Sequence, residues 1–272
     1  MEYVKRNGAW IPKLGFGTFN LTGREAIGVL EFALDVGYRH FDTAQMYENE
    51  DVIGKVIGHT DIRRERLFIT NKVWGTNLTQ EKFIPSVERS LTNLKQDYID
   101  LLLIHWPNKS IPLEESLQQL AICKEKGYCK NIGVSNFTVD LLDQVKALDY
   151  DIICNQFEYH PYLNQDKLLD KVRSMGMFAT AYSPIAKGKV TEEPIIKEIS
   201  QYYKATPAQI ALRWLVQQED VVTIPKSSQL VRIKQNFDVF NFTLSQEHMQ
   251  EISRLQEKNI RLIDPEFAPT WD

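Results

Sequence analysis

The chain has 272 residues and a formal net charge of −4, with 43% hydrophobic and 25% charged residues. These values are typical of a soluble globular protein, and the negative charge argues against nucleic acid or an anionic membrane as a partner. No run of about 18 apolar residues and no signal-peptide core occur, so we expect neither a membrane span nor a secretion signal. The three cysteines, Cys123, Cys129 and Cys154, lack metal-site or redox spacing and predict a cytoplasmic protein.

Strand and helix patterns alternate from one end of the chain to the other. Asn7-Gly8, between two short apolar stretches, predicts an N-terminal β-hairpin. Eight strands are predicted after it, at residues 14–19, 39–42, 67–72, 98–104, 132–137, 152–157, 178–182 and 221–225. The predicted helices begin with one between a Thr22–Glu25 capping box and Gly37. The others lie at about 49–57, 80–94, 113–126, 139–147, 165–175, 194–203 and 207–217, with a last one from about 228.

Eight βα units without a linker predict one domain over residues 1–272. Strands that alternate with helices form a parallel sheet, and eight units of this size favour an α/β protein of the (β/α)₈ TIM-barrel type. The hairpin is expected to close the barrel floor. A doubly wound sheet is the alternative, but it usually carries three spaced glycines after its first strand. The segment from Gly15 to Asn20 lacks the third glycine.

Four ionisable residues lie at the ends of three neighbouring predicted strands. They are Asp42, Tyr47, Lys72 and His105. A lysine that closes an apolar strand needs a partner because a buried charge is costly, and Asp42 can supply it. An ion pair beside a core histidine is the purely structural interpretation. The carboxyl ends of barrel strands are, however, where active sites of this fold lie.

These groups suit proton delivery to a carbonyl oxygen. A phenol is a weak acid at neutral pH, and an adjacent ammonium lowers its pKa. Tyr47 would be the acid, Lys72 would lower its pKa, Asp42 would hold Lys72, and His105 would orient the substrate oxygen. We find no nucleophile–base pair and no metal-ligand neighbours around His105, so this chemistry requires an organic cofactor.

The segment from Ile224 to Arg232 joins the last predicted strand to a helix. Helix N-termini attract phosphate, and the loops after strands seven and eight are the usual phosphate site of a barrel. Lys226 and Arg232 add two cations there. An exposed basic turn is the alternative interpretation.

The chain resembles the aldo-keto reductase family from end to end. The matching motifs are Gly15–Phe19, Asp42-Thr43-Ala44 with Tyr47 and Asn49-Glu50, Lys72, Leu101–Pro107, Ile132–Phe137, Asn155-Gln156 with Glu158 and His160-Pro161, Tyr182-Ser183-Pro184 and Ile224–Ser227. The tail from Arg261 to Asp272 is most similar to short bacterial members, the 2,5-diketo-D-gluconate reductases of the B type.

The resemblance implies reduction of aldehydes and ketones with NADPH, with Tyr47 as proton donor and Asp42, Lys72 and His105 completing a tetrad. It implies cofactor contacts from Gly17, Thr18, Phe19, Ser135, Asn136, Gln156, Tyr182, Ser183, Lys226, Ser227, Arg232, Gln235 and Asn236. Gln235 stands where the family often has glutamate, and the role of Lys187 stays open. The substrate pocket is expected to be walled by Phe19, Met46, Trp74 and Trp106.

The segment after Trp106 is short and few residues follow the last helix, so we expect a shallow, open pocket. Such a pocket favours methylglyoxal and keto-sugar acids over steroids. Trp271 would change this expectation if the tail folded back over the pocket. We expect a monomer with a small-molecule carbonyl substrate. The alternative is an NADPH-binding sensor or auxiliary subunit with vestigial turnover, because potassium-channel auxiliary subunits share this fold.

Overall fold

The computed structural model describes residues 1–272. Its strands are β1 (Tyr3–Arg6), β2 (Ala9–Pro12), β3 (Phe16–Gly17), β4 (His40–Asp42), β5 (Phe68–Val73), β6 (Ile99–Ile104), β7 (Cys129–Ser135), β8 (Ile152–Glu158), β9 (Phe178–Tyr182) and β10 (Val221–Thr223). Its helices are α1 (Gly23–Val36), α2 (Glu50–His59), α3 (Gln80–Leu94), α4 (Leu113–Glu125), α5 (Val139–Ala147), α6 (Asp166–Ser174), α7 (Pro194–Tyr203), α8 (Pro207–Gln217), α9 (Leu230–Phe237) and α10 (Gln246–Arg254).

Strands β3 to β10 form one parallel sheet in chain order. The sheet is curled until its two edges meet. Leu14, just before β3, bridges Thr223 of β10, and Gly15 N donates a hydrogen bond to the Thr223 carbonyl at 2.8 Å. Gly17 N adds a bond to the Pro225 carbonyl at 3.1 Å. These contacts between the first and last strands are what a (β/α)₈ barrel requires.

The buried apolar residues of the parallel strands fall into two different hydrophobic clusters. On β6, Leu102 and Ile104 join the large cluster shared with the helices, whereas Leu101 and Leu103 join a small inner cluster. Successive side chains of a strand point to opposite faces, so every residue of β6 is buried. The inner cluster therefore fills the inside of the curled sheet.

The N-terminal hairpin is confirmed as a separate antiparallel sheet of β1 and β2. Asn7 and Gly8 have φ of 48° and 78°, the left-handed values that a tight two-residue hairpin turn needs. Val4 and Ile11 are buried in the inner cluster, against residues such as Leu101. The hairpin thus covers part of the inside of the sheet.

Three local predictions needed correction. Thr22 makes no side-chain cap bond at the start of α1, where Gly23 has a left-handed φ of 71°. The working capping box is instead that of Thr206 and Gln209 at the start of α8. The last predicted helix begins at Leu230 rather than near 228, and α10 was not predicted. No helix combines the length and the apolar composition needed to cross a membrane.

Candidate active site

The four ionisable residues at the strand ends come together in the structure. Lys72 Nζ donates to Asp42 Oδ1 at 2.6 Å, to the Thr43 carbonyl at 2.8 Å and to Tyr47 Oη at 3.3 Å. Asp42 ends β4, and Lys72 lies on the neighbouring strand β5. The Lys72 side chain is completely buried, and its three partners use all three ammonium donors. The expected Asp42–Lys72 pair is therefore present, with the phenol beside it.

The proton affinities of Lys72 and Tyr47 follow from this packing. Burial alone lowers the pKa of Lys72, but the Asp42 carboxylate and the Tyr47 phenol outweigh it, and the pKa of Lys72 is raised. Burial raises the pKa of Tyr47, and Lys72 only partly opposes this effect. The sequence-based expectation of a lowered phenol pKa is thus right for the influence of Lys72 and wrong for the net direction. The phenol is held in its protonated, donating form.

His105 follows β6 and lies beside the phenol, with ring centroids of His105 and Tyr47 5.7 Å apart. Burial and the Lys72 charge hold the pKa of His105 well below its usual value, so the imidazole is neutral. Its Nδ1 is buried without a hydrogen-bond partner. The other ring nitrogen, Nε2, is not among the buried unpaired atoms, and His105 lines the cleft. A proton on Nε2 is therefore the tautomer that can donate to a molecule bound there.

A cleft of about 450 Å³ opens above these residues. Many of the predicted site residues line it, namely Gly17, Thr18, Phe19, Asp42, Met46, Tyr47, His105, Trp106, Asn136, Gln156, Tyr182, Ser183, Lys226 and Arg232. Residues not predicted to line it are Pro184, Ile185, Gly188, Ile224 and Ile263, and Lys187, whose role was open, lines it too. The volume is in the range of small-molecule sites, which is about 300–1,000 Å³.

A polar network lines the middle of the cleft. Tyr182 Oη donates to Asn136 Oδ1 at 2.7 Å, and Asn136 Nδ2 donates to the His105 carbonyl at 3.0 Å. Ser135 Oγ donates to the Gln156 carbonyl at 2.9 Å, and Gln156 Nε2 reaches Asp42 Oδ2 at 2.8 Å. The predicted cofactor contacts Ser135, Asn136 and Gln156 are therefore bonded to one another and to the Asp42–Lys72 pair.

One part of the cleft is basic. Lys226 and Arg232 line it and are exposed. Gly17 lets β3 pass close to the backbone at Ile224, because a Cβ at Gly17 would lie only 2.7 Å from the Ile224 carbonyl oxygen. Ser227 Oγ accepts from Gln229 N at 3.1 Å at the start of α9. Two exposed cations therefore line the cleft beside the first turn of α9.

Gln235 and Asn236 are not among the residues that line the cleft. They lie one turn beyond Arg232 in α9, where Asn236 is buried and the Gln235 carbonyl accepts from Gln209 Nε2 at 2.9 Å. Residues three and four positions apart share a helix face, so both still neighbour Arg232. Their predicted contact with the cofactor stays a prediction.

The C-terminal segment bears on the expected shape of the pocket. Phe267 packs edge-on against Trp74 and Trp106, with ring centroids 5.7 and 5.4 Å apart. Trp271 packs against Trp106 at 6.1 Å. The segment therefore folds back beside the cleft, and Ile263 lines the cleft directly. Trp74, Phe267 and Trp271 do not line the cleft themselves, so the expectation of a shallow, open pocket stays a prediction.

Gln45 is a supporting residue that sequence analysis missed. Its Oε1 accepts from Trp74 N at 3.0 Å and Asn77 Nδ2 at 2.9 Å, and its Nε2 donates to Ser86 and Ser90 at 3.0 and 3.2 Å. All four hydrogen-bonding positions of the amide are filled. Gln45 thereby ties the turn that carries Tyr47 to the loop that carries Trp74. In the sequence, a polar residue two positions before Tyr47 does not indicate that it bonds to the loop of Trp74.

Comparison with known proteins places this cleft in a family context. Residues 13–257 match the Aldo/keto reductase family. Methylglyoxal reductase DkgB of Yersinia pestis is 40% identical over 267 residues, which cover 96% of this chain and 99% of the relative. Prostaglandin F synthase 1 of Bos taurus is 38% identical over 304 aligned positions, which cover 97% and 94% of the two chains.

A solved structure gives the same result. The crystal structure of a candidate 2,5-diketo-D-gluconic acid reductase B superposes with a TM-score of 0.97 at 43% identity, covering all of this chain and 98% of the other. The similarity extends over whole chains, so it includes both the strand-end residues and the C-terminal segment. The protein therefore belongs to the aldo/keto reductase family of oxidoreductases.

Proposed function

We propose that the protein is an NADPH-dependent reductase of small aldehydes and ketones, with Tyr47 as the proton donor. The observation that carries this proposal is the Asp42–Lys72–Tyr47 chain of hydrogen bonds beside His105, at the base of the cleft. A carbonyl oxygen that approaches Tyr47 meets the phenol and the imidazole together. The arrangement supplies the acid that carbonyl reduction requires, and it contains no side chain activated as a nucleophile.

The residues along the cleft fit a nicotinamide dinucleotide phosphate. Tyr182 offers an aromatic face near Asn136 and Gln156, whose amides can bind a carboxamide. The exposed cations Lys226 and Arg232 also line the cleft and suit a phosphate that NADH lacks. Ser227, Gln235 and Asn236 belong to the same part of the cofactor site in this proposal. When bound, NADPH supplies the hydride.

The chain itself supplies the proton and the orientation. Tyr47 Oη donates its proton to the carbonyl oxygen and becomes a phenolate beside the Lys72 ammonium, which lies 3.3 Å away. That phenolate is stabilised by the opposite charge, whereas burial alone would oppose it. The Nε2–H of neutral His105 orients the same oxygen. Asp42 keeps Lys72 charged and in place.

The substrate proposal follows from the size of the pocket and from the relatives. The cleft would hold the cofactor as well as the substrate, so the part beside Tyr47, which Trp106 and Ile263 also line, suits a compact carbonyl compound. Relatives carry the names methylglyoxal reductase and 2,5-diketo-D-gluconic acid reductase B. We propose small dicarbonyls and keto-sugar acids as the substrates of this chain. A cytoplasmic monomer, built as a (β/α)₈ barrel whose floor is the hairpin, completes the proposal.

NADPH oxidation tests this function directly. The purified protein is incubated with methylglyoxal, 2,5-diketogluconate, aromatic aldehydes and sugars, with NADPH or NADH as reductant. We expect turnover of the dicarbonyls and a clear preference for NADPH. Tight NADPH binding without turnover of any carbonyl would contradict a reductase and favour the sensor alternative.

A further inference from the structure

Glu158 is a buried charge that the proposed chemistry does not use. It ends β8, and its side chain is completely inaccessible to solvent. An ionised carboxylate in such a place is strongly unfavourable unless hydrogen-bond donors surround it. The identity of those donors therefore indicates what the carboxylate does.

Three donors surround the Glu158 carboxylate. Leu262 N donates to Oε1 and Ile263 N donates to Oε2, each at 2.8 Å. His160 Nε2 lies 2.7 Å from Oε1. His160 Nδ1 accepts from Tyr162 N at 3.3 Å, so the ring proton is on Nε2 and points to Glu158. Two of the three donors are consecutive backbone amides of the C-terminal segment, more than 100 positions away in the chain.

An electrostatic contact acts on the same segment. Arg261 directly precedes the two amides. Burial lowers the pKa of its guanidinium, and the negative charge of Glu158 partly opposes this effect. Its guanidinium stacks over the ring of Trp271 at 3.8 Å. Glu158 thus attracts both the backbone dipoles and the cation that begin this segment.

The held segment leads straight into the pocket wall. Ile263 lines the cleft, and four residues later Phe267 packs against Trp74 and against Trp106, of which Trp106 lines the cleft. Glu158 also lies two residues after Gln156 on the same strand, so both side chains point to one face. A single rigid strand therefore carries the bond to Asp42 and the bonds to the C-terminal segment.

We propose that Glu158 is a positioning residue whose carboxylate seats the C-terminal segment beside the cleft and thereby sets which carbonyl compounds fit. This inference rests on the proposed reductase function for its effect on substrates. The seating itself does not depend on that function and can be measured without turnover.

Hydrogen exchange tests the seating. In Glu158→Gln the amides of Leu262 and Ile263 lose a charged acceptor, and we expect them to exchange at least about tenfold faster than in the wild type. Glu266→Gln is the matched control, since Glu266 is exposed on the same segment and makes no hydrogen bond. Unchanged exchange at both amides in Glu158→Gln would overturn the proposal, whatever the activity.

Steady-state kinetics test the consequence for substrates. We expect Glu158→Gln to raise KM for an aromatic aldehyde about tenfold, because such a substrate contacts the aromatic wall, and to change kcat for methylglyoxal less than about twofold. In Phe267→Ala the wall is already missing, so adding Glu158→Gln is expected to have little further effect on KM. Fully additive effects of the two substitutions would overturn the proposal.

A second variant covers the case in which Glu158→Gln does not fold. Leu262→Pro removes one of the two amide donors and leaves the carboxylate in place. We expect faster exchange at Ile263 and the same rise in KM for the aromatic aldehyde. The absence of both changes would overturn the proposal. If exchange accelerates but even the wild type reduces no carbonyl compound, the seating is supported and the proposed function fails.

Discussion

Gln156 Nε2 donates a hydrogen bond to Asp42 Oδ2 at 2.8 Å, while the other oxygen of that carboxylate accepts from Lys72 Nζ at 2.6 Å. Both oxygens of the buried carboxylate are therefore held, one from β8 and one from β5. This bonding restrains Lys72 independently of Tyr47. A change at the phenol alone is thus expected to leave the ion pair in place.

Tyr47→Phe is expected to lower kcat at least about 100-fold, the usual loss when a general acid is removed. The dissociation constant of NADPH is expected to change little, because the substitution leaves Gln156, Tyr182 and Arg232 unchanged. Single-turnover reduction of methylglyoxal and fluorescence titration of NADPH measure the two effects. A chemical step that keeps more than half of its wild-type rate would contradict the role of Tyr47.

Arg232→Ala is expected to weaken NADPH binding about tenfold or more and to leave NADH binding almost unchanged. Charge-assisted bonds to phosphate contribute about 1.5–3 kcal/mol, and NADH has no 2′-phosphate. Lys234→Ala is the matched control, since Lys234 is an exposed cation of α9 that bonds to Asp238 and does not line the cleft. Equal losses for both cofactors in Arg232→Ala would make Arg232 a structural residue.

Phe267→Ala is expected to discriminate between substrates by size. The ring packs against Trp74 and Trp106, and an aromatic contact contributes about 0.5–1.5 kcal/mol beyond buried area. We therefore expect kcat/KM for aromatic aldehydes to fall up to about tenfold, and that for methylglyoxal to change little. The ratio of the two values in wild type and variant is the measurement. A uniform fall would show that Phe267 supports the fold instead of the substrate.

His40 is expected to make folding stability depend on pH. It is 1% exposed, bonds to Thr70 Oγ1 through Nε2 at 3.0 Å, and burial lowers its pKa to about 4. The unfolded chain binds this proton near pH 6.5, so the stability contributed by neutral His40 is complete above pH 6.5 and is lost as pH falls toward 4. The loss is about 1.4 kcal/mol per pH unit, or about 3 kcal/mol over this window.

Urea unfolding at pH 7.5 and pH 4.5 measures this effect. His40→Gln removes the titrating group while keeping a polar side chain of similar length. The wild type is expected to lose more unfolding free energy than His40→Gln between the two pH values. Parallel losses in the two proteins would show that other groups cause the pH dependence.

Short-range features of the fold and site could be predicted from the sequence. The hairpin at Asn7-Gly8 and the strand ends at Asp42 and Tyr182 depend on turn chemistry and on apolar runs of a few residues. The ladder order of a parallel sheet then brings Asp42 and Lys72 to neighbouring strand ends. Such inferences succeed because local backbone preference and regular pairing decide them.

Three features could be read only from the tertiary structure. They are the position of the C-terminal segment, the hydrogen bonds of Gln45 to two other segments, and the net direction in which the pKa of Tyr47 is shifted. Glu158 and Leu262 are far apart in sequence, and no local pattern shows that one accepts from the other. The pKa of Tyr47 is a balance between desolvation by all surrounding atoms and the charge of Lys72. Sequence supplied the sign of the Lys72 effect, but the packing that outweighs it is a sum over contacts that exist only in the folded chain.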